Sequence, residues 1–323
     1  MNNMRKILAL ASLAFVFTFA VAACGDDDDD GGGGDGLDGA SFSVGSKEFT
    51  EQVILGQIAV VALENAGASV NAEGVGIVGT DNVRAALTSG EIDMYWEYTG
   101  TGWSSHLGRE ISEAPGTPAE LADAVREADE ENDVIWYDES PLNNTYALVT
   151  LASRSDELGV STISEYADLV SSEPEAASLC GATEWLVRDD GYLGLATEYG
   201  FDLPDAQLTE FADTSGIAAL VAEGDDCNFG ELFATDGPIA ANDLVVLEDD
   251  LNYFVPYNVA LTVRAEVHDE HGDALAELFD PISAALSDEV MQTLNARVDV
   301  DGEDPRAVAE SFLSENGLME SMN

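Results

Sequence analysis

The sequence predicts an α/β fold in two domains, and three observations support this. Between residues 42 and 96, apolar runs and amphipathic stretches alternate in the order strand, helix, strand, helix, strand, which is typical of a parallel sheet. The alternation restarts after an apolar segment at 147–151, which indicates a second domain. The chain has 323 residues and is 46% hydrophobic, so it can bury two cores of ordinary size.

The first 23 residues are predicted to be a leader that does not belong to the fold. Arg5 and Lys6 precede an apolar run at 7–19 that is too short to span a bilayer comfortably. The sequence Val21-Ala22-Ala23-Cys24 then resembles a bacterial lipobox, in which the cysteine is lipidated and becomes the first residue. A retained membrane helix is the alternative, which the small residues before Cys24 disfavour. We therefore expect an extracytoplasmic protein, anchored to the cell membrane by a lipidated Cys24.

Residues 24–40 are predicted to form an acidic tether. Aspartates occupy 26–30 and glycines occupy 31–34. Glycine makes such a segment flexible, and repulsion between aspartates extends it. We expect this segment to hold the folded part, which starts near Ser41, away from the membrane.

The charge of the chain is strongly acidic, with 64 Asp and Glu against 11 Lys and Arg and a formal net charge of −53. Nothing in this composition can form the basic patch that a phosphate backbone requires, which excludes a nucleic-acid partner. Self-repulsion on this scale is eased when salt screens it. The composition therefore favours a halophilic protein that works in a saline medium.

The folded part begins with a strand at Phe42, and the turn Gly45-Ser46-Lys47 leads into a helix that ends at Gly67. Lys47 is the only lysine that follows the leader. An ammonium at a strand-to-helix turn can bind a carboxylate or anchor a contact between domains. We predict such a role for Lys47, and chance survival of a single lysine is the alternative.

A second strand at 69–77 and a helix that Gly90 ends lead to the aromatic segment at 91–103. Its strand, 92–96, is followed by Thr99-Gly100-Thr101-Gly102, where the glycines are expected to permit backbone conformations closed to other residues. The carboxyl ends of parallel strands are where open α/β sheets bind ligands, and aromatic faces attract organic cations. Tyr95 and Trp96 are predicted to be core residues, and Tyr98 is the better candidate for a binding surface.

The remaining elements predict a second domain and a return to the first. A helix at 118–131 and a strand at 134–137 precede the crossing at 143–146. In the second domain Arg188 and Tyr192 lie four residues apart around a turn, so their side chains can share a pocket in which the guanidinium holds a carboxylate. A surface ion pair is the alternative for Arg188. The return begins with a strand at 255–263, and the final helices are predicted at 268–286, 288–296 and 305–316.

Cys180 and Cys227 are the only cysteines that remain once Cys24 is lipidated. Outside the cytoplasm a lone pair of cysteines favours a disulfide over a metal site. The histidines (His106, His268 and His271) are scattered along the chain. The sequence therefore predicts a disulfide, no metal site and no cofactor.

Four motifs, in this order, resemble the substrate-binding proteins of glycine betaine/carnitine/choline ABC transporters: Gly45–Gln52, Glu91–Thr101, Asn143–Leu148 and Asp243–Asp250. The resemblance implies a two-lobed periplasmic-binding-protein fold of type II. Each lobe is then a mainly parallel sheet flanked by helices, and two hinge strands join the lobes. Lobe 1 is expected to comprise 41–143 and 255–323, and lobe 2 to comprise 144–254.

The resemblance also implies a function and a set of binding residues. Such a protein captures a quaternary-ammonium solute (glycine betaine, choline or carnitine) in an aromatic cage. It then delivers the solute to an ABC permease and its ATPase for osmoprotection, as a monomer and without catalysis. Tyr98, Tyr146 and Tyr192 match cage tyrosines, Arg188 matches the basic position, and the polar positions of the cleft are matched by Lys47, Gln52, Thr101 and Asn144.

The chain departs from the family pattern at two points. Ile217 occupies the place of a further tyrosine, and Thr235-Asp236-Gly237-Pro238 stands where the family often has Thr-Asp-Gly-Arg. Without that tyrosine, the cage either has one aromatic wall fewer or takes this wall from another residue. The candidates are Trp103, Trp185 and Tyr257.

Two other classes of function are alternatives to this predicted solute-binding function. An extracytoplasmic hydrolase acting on a small cationic ligand is disfavoured because the sequence lacks a Gly-x-Ser-x-Gly elbow, a His-Glu-x-x-His pair and a Walker loop. A sensory lipoprotein that uses the same cleft for signalling stays open, and a neighbouring permease and ATPase in the genome would distinguish transport from sensing.

Overall fold

The structure, a computed structural model, describes residues 36–187, 191–212, 214, 216–224 and 226–319. The predicted leader, Cys24, most of the tether and Arg188 lie outside these residues. Within the described part of the chain, no helix is long and apolar enough to cross a membrane.

In the described residues, ten strands form two sheets. In chain order they are β1 Ser41–Lys47, β2 Ser69–Ile77, β3 Met94–Tyr98, β4 Val134–Trp136, β5 Tyr146–Leu151, β6 Leu179–Ala182, β7 Leu208–Phe211, β8 Phe229–Phe233, β9 Leu244–Val246 and β10 Val259–Arg264. The first sheet has the order β2-β1-β3-β10-β4, and the second has the order β7-β6-β8-β5-β9. The predicted two-sheet α/β fold is confirmed.

Helices flank both sheets. They are α1 Thr50–Asn65, α2 Thr80–Ser89, α3 Thr99–Thr101, α4 Pro118–Asp129, α5 Ala152–Leu158, α6 Ile163–Ser172, α7 Thr183–Val187, α8 Tyr192–Glu198, α9 Ile217–Glu223, α10 Gly237–Ala241, α11 Ala265–Ala285, α12 Asp288–Asp299 and α13 Pro305–Glu315. A π-helical turn covers Gly102–His106, and 3₁₀ turns cover Ile111–Glu113, Glu130–Asn132 and Asp205–Gln207.

Each sheet contains one antiparallel strand, and its other four strands run in the same direction, which agrees with the mainly parallel sheets that were expected. In the first sheet β1 runs parallel to β2 and β3, but β10 is antiparallel to β3 and β4. In the second sheet β6 runs parallel to β7 and β8, but β5 is antiparallel to β8 and β9. Both antiparallel strands directly follow a crossing from the other sheet. Each therefore enters its sheet without the intervening helix that a parallel neighbour requires.

Alternating side chains of the strands supply a core on each face of a sheet. Met94 and Trp96 on β3 pack with α1, α11, α12 and α13, while Tyr95 faces α2 and α4 on the other side. Tyr95 and Trp96 are completely buried, which confirms their predicted place in the core. Tyr98, the candidate for a binding surface, is also nearly buried. Because helices pack on both faces of β3, the carboxyl end of this strand, where the candidate site lies, is held in place.

Gly100 and Gly102 are required for close packing, and the expected unusual backbone conformation is absent. Neither glycine is among the described residues with positive φ, because the segment forms α3 and the π-helical turn. A Cβ atom at Gly100 would lie 2.6 Å from the Tyr257 ring, and one at Gly102 would lie 2.8 Å from Trp136. Glycine at these positions lets the end of β3 approach its neighbours more closely than any other residue would.

Two segments cross between the sheets side by side. The first (137–145) joins β4 to β5, and the second (247–258) joins β9 to β10. Asn143 and Asn258 form an antiparallel bridge between them, and the Tyr257 amide donates to Asn143 Oδ1 at 2.7 Å. The predicted lobe ranges, with ends at 143 and 254, fall within these crossing segments and stay a prediction.

Cys180 on β6 and Cys227 just before β8 form a disulfide in the structure, with Cα atoms 5.7 Å apart. Both cysteines are buried in the core beneath α9. The bond ties two neighbouring strands of the second sheet together.

Candidate functional site

A cavity of about 600 Å³ lies between the two sheets, at the carboxyl end of β3. The start of α1 and the end of β3 form one wall, the first crossing segment and the end of β8 form the other, and α12 closes one side. A neighbouring cavity of about 790 Å³ shares Tyr146 and Tyr257 with it and is otherwise lined mainly by 110–116 and 252–256. The smaller cavity is the candidate site because it gathers the predicted binding residues.

Five of the eight predicted ligand-binding residues line this cavity: Lys47, Tyr98, Thr101, Asn144 and Tyr146. They come from separate segments, namely the end of β1, the end of β3, α3, the first crossing segment and β5. The strand-end location predicted from the aromatic segment therefore matches the position of the cavity.

The other predicted residues lie elsewhere. Gln52 is fully buried, and its Oε1 accepts a hydrogen bond from the Lys47 amide at 3.2 Å, so it positions Lys47 from behind the wall. Tyr192 does not line the cavity; its ring packs 5.7 Å from that of Trp185 and 6.0 Å from that of Phe201 in the second-sheet core. Arg188 lies outside the described residues.

Of the three candidates for the missing cage wall, only Tyr257 lines the cavity. Trp103 is buried against α2 and α4 and donates from Nε1 to the Glu110 carbonyl at 2.9 Å, and Trp185 is buried in the second-sheet core. Both expectations are wrong, because each indole is enclosed by its own core. Ile217 also belongs to a core, where it faces Gly230 on β8.

Two phenylalanines that were not predicted complete the aromatic lining. Phe49 stacks on Tyr98 with centroids 6.1 Å apart, and Phe233 stacks on Tyr146 with centroids 5.3 Å apart. The two phenylalanines are 41% and 38% exposed, unusual for large apolar rings. The cavity thus has one stacked aromatic pair from each sheet region, and Tyr257 contributes a fifth ring. Such faces attract organic cations.

Lys47 contributes an ammonium that is already paired. Its Nζ lies 2.5 Å from Glu97 Oε1 and 5.0 Å from the centroid of the Tyr98 ring. Glu97 Oε2 also accepts from Tyr95 Oη and contacts His106 Nε2, each at 2.8 Å. Burial alone would raise the pKa of Glu97, but the Lys47 charge and the His106 hydrogen bond lower this pKa to about 2.

Glu51 is a second buried carboxylate, and all its observed partners are neutral. Its oxygens accept from Tyr98 Oη at 2.7 Å, Asn144 Nδ2 at 3.0 Å and Asn295 Nδ2 at 3.3 Å. Burial raises the pKa of Glu51, although hydrogen bonds from Thr235, Tyr98, Asn144 and Asn295 oppose the rise. Glu51 lies inside the Gly45–Gln52 motif, which was the only sequence signal for it.

Asp236 lies where the second-sheet region meets α12. Asn295 Nδ2 donates to the Thr235 carbonyl at 2.8 Å, and a Cβ atom at Gly237 would lie 2.6 Å from the Ala296 amide nitrogen. Asp236 Oδ2 accepts from the Phe233 amide at 3.1 Å. Burial raises the pKa of Asp236 to about 6, with repulsion from Glu51 and Asp299 adding to the rise.

The chain resembles known proteins over most of its length. Residues 40–315 match the family described as the substrate binding domain of ABC-type glycine betaine transport system. A glycine-betaine-binding protein of Pseudomonas aeruginosa is 33% identical over 286 residues, which are 86% of this chain and 88% of that protein. The glycine betaine-binding protein YehZ of Escherichia coli is 34% identical over 282 residues, 85% of this chain and 90% of YehZ.

Structural comparison agrees with the sequence relatives. The structure of apo YehZ from Escherichia coli superposes with a TM-score of 0.80 at 30% identity, covering 86% of this chain and 99% of YehZ. A more distant relative, 29% identical over 81% of this chain and 80% of its own, is the chemotactic signal transduction system substrate-binding protein CosB of Halobacterium salinarum. The chain belongs to the family of substrate-binding domains of ABC-type glycine betaine transport systems.

Proposed function

We propose that this protein binds a quaternary-ammonium solute such as glycine betaine, choline or carnitine in the cavity between its sheets. One observation carries the proposal: two stacked aromatic pairs, Phe49 with Tyr98 and Tyr146 with Phe233, line a single cavity from the two sheet regions. A quaternary ammonium has no N–H group to donate, so dispersion, desolvation and cation–π contact must hold it. Aromatic faces supply all three.

In this proposal the protein catalyses nothing and delivers its ligand to the permease and ATPase of an ABC transporter, for osmoprotection. The description of the matched family supports transport, and the predicted leader with Cys24 supports an extracytoplasmic protein held by a lipid anchor. Ligand bound between walls from both sheet regions would hold them together, which is the usual closure of such folds.

Calorimetric titration of the mature protein with glycine betaine, choline, carnitine and proline tests the proposal. We expect the trimethylammonium compounds to bind, and Phe233→Ala to weaken their binding by about 1–3 kcal/mol because it removes an aromatic face that the bound ligand would desolvate. Leu251→Ala is the matched control, since Leu251 is exposed and lies outside the cavity. Absence of binding by all trimethylammonium compounds, or turnover of one of them, would refute the proposal.

Arg188 is the proposed contact for a ligand carboxylate, as its place in the sequence suggests. Arg188→Ala is expected to lower the affinity for glycine betaine and carnitine more than that for choline, which has no carboxylate. An unchanged ratio of glycine betaine to choline affinity would assign Arg188 to a surface ion pair.

Ligand sensing is a second candidate function, and the chemotactic relative CosB favours it. Sensing and transport use the same binding step and differ in the partner. Deleting the gene and measuring both solute uptake and chemotaxis toward the solute would distinguish them: loss of uptake indicates transport, and loss of chemotaxis alone indicates sensing.

A further inference from the structure

The described wall of the cavity carries more negative than positive charge. Glu51, Asp236 and Asp299 contribute carboxylates, and Lys47 contributes the one ammonium. The four groups lie on four different parts of the fold: the end of β1, the start of α1, the segment between β8 and α10, and the end of α12. This arrangement determines which ligand charge the site tolerates.

The ammonium of Lys47 does not offset these carboxylates, because Glu97 already neutralises it. Lys47 Nζ and Glu97 Oε1 lie 2.5 Å apart with both side chains buried, and Glu97 is outside the cavity wall. Glu97 stays ionised through its further contacts with Tyr95 and His106. The pair therefore adds no net charge.

The three wall carboxylates have no comparable partner. Among the residues that the structure describes, no Lys, Arg or His lies within ion-pair distance of Glu51, Asp236 or Asp299. Asp299 Oδ1 accepts from Thr50 Oγ1 at 2.6 Å, Asp236 accepts from a backbone amide, and Glu51 accepts from a phenol and two side-chain amides. All of these donors are neutral, so no cation among the described residues offsets the charge of these carboxylates when they are ionised.

We infer that Glu51 and Asp236 determine specificity by selecting a ligand of net positive charge, so that the site prefers a quaternary-ammonium alcohol such as choline to a zwitterion such as glycine betaine. The inference rests on the proposed function. It deepens that function by naming the charge class of the ligand, which the glycine betaine names of the relatives do not predict.

The physical reason is the fate of the ligand's own carboxylate. A cation in a cavity of about 600 Å³ lies close to all three acids and compensates them. A zwitterion brings a carboxylate into the same space, where repulsion from the wall opposes the attraction at its other end, and the proposed contact of that carboxylate with Arg188 offsets only part of this repulsion. Burial raises the pKa of Asp236, and repulsion from Glu51 and Asp299 adds to the rise, as expected for acids that lie near one another.

The experiment compares choline with glycine betaine by calorimetry at neutral pH and one fixed salt concentration, in the mature wild-type protein and in two variants. We expect wild type to bind choline at least about tenfold more tightly. Asp236→Asn and Glu51→Gln are each expected to lower this ratio severalfold while keeping the hydrogen-bond acceptor. Glu48→Gln is the matched control, because it removes the same charge from an exposed side chain outside the wall.

The outcomes separate this inference from the proposed function. Equal or tighter binding of glycine betaine by wild type overturns the inference and leaves the proposed function intact. A choline preference that both cavity variants retain also overturns the assignment to Glu51 and Asp236. If neither compound binds, both proposals fail. If Glu51→Gln does not fold, the ratio of choline to glycine betaine affinity in wild type still decides the charge class of the ligand. Asp236→Asn then tests the contribution of the wall carboxylates.

Discussion

Glu97 and Glu51 are two buried carboxylates beside the same cavity, and their surroundings differ in charge. Glu97, on β3, contacts the Lys47 ammonium and His106, and its pKa is lowered to about 2. Glu51, on the first turn of α1, is held by a phenol and two side-chain amides, and its pKa is raised. Folding therefore gives Glu97 a cationic partner, whereas the observed partners of Glu51 are neutral.

The difference indicates separate roles for the two groups. A buried charge without a counterion costs folding free energy, and such a cost is common where a site awaits a charged ligand. Glu97 is then part of the framework that holds Lys47 and the end of β3. Glu51 belongs to the wall that the ligand meets, together with Asp236.

The largest effect is expected from breaking the framework. Glu97→Gln leaves the Lys47 ammonium buried without its counterion, so we expect the free energy of unfolding to fall by about 3–5 kcal/mol. Urea denaturation followed by circular dichroism measures this without adding salt. Tyr95→Phe is the matched control, because it removes one hydrogen bond to Glu97 and leaves the charge pair, with an expected loss of about 1 kcal/mol.

Equal losses for Glu97→Gln and Tyr95→Phe would contradict the role given to the ion pair. The pH dependence provides a second check. Because the folded pKa of Glu97 is about 2 and its usual value is 4.5, its contribution is complete above pH 4.5. That contribution is lost as the pH falls from 4.5 toward 2, and Glu97→Gln is expected to lack this loss.

The framework around Glu97, Lys47 and the end of β3 was more predictable from the sequence than the cavity wall that contains Glu51 and Asp236. The apolar and aromatic content of 92–96 predicted a buried strand, because such a run is a local signal of the sequence. Lys47 and Tyr98 were singled out from the residues themselves and Asn144 through motif resemblance, and all three line the cavity. Local pattern and motif together located the site at the end of β3.

The rest depended on contacts between distant parts of the chain. Phe49 and Phe233 look like core residues in the sequence, and only the fold shows that their rings are left exposed at the cavity. Glu51 is one of 64 acids, and only the fold shows that it is buried beside the cavity. Tyr192 lies four residues from Arg188, but the packing of its ring against Trp185 and Phe201 directs it into a core.

A smaller effect, opposite in sign, is expected from neutralising the wall. The pKa of Asp236 rises from 3.8 to about 6 on folding, so its ionisation opposes folding as the pH rises from 3.8 through 6. Asp236→Asn removes this cost, and we expect it to stabilise the ligand-free protein by about 1–2 kcal/mol at neutral pH and by less near pH 4. Urea denaturation at both pH values measures the change.

Glu48→Gln is again the control for Asp236→Asn, because an exposed carboxylate carries no comparable burial cost. Destabilisation by Asp236→Asn at neutral pH would mean that its bond to the Phe233 amide matters more than its charge. That result would contradict the contrast between Glu97, whose charge stabilises the fold, and Asp236, whose charge is expected to destabilise it.

The smallest effect is expected where salt acts on the framework pair. The surface carries much of a net charge of −53, so raising NaCl from low to molar concentrations is expected to raise the melting temperature of wild type by screening carboxylate repulsion.

The Lys47–Glu97 pair is buried and shielded from ions. Its contribution, measured as the difference between wild type and Glu97→Gln, is therefore expected to change by less than ~0.5 kcal/mol over the same range. A large fall in that difference would show that solvent and ions reach the pair, so that Glu97 belongs with Glu51 in the wall. An unchanged wild-type melting temperature would instead count against adaptation to a saline medium.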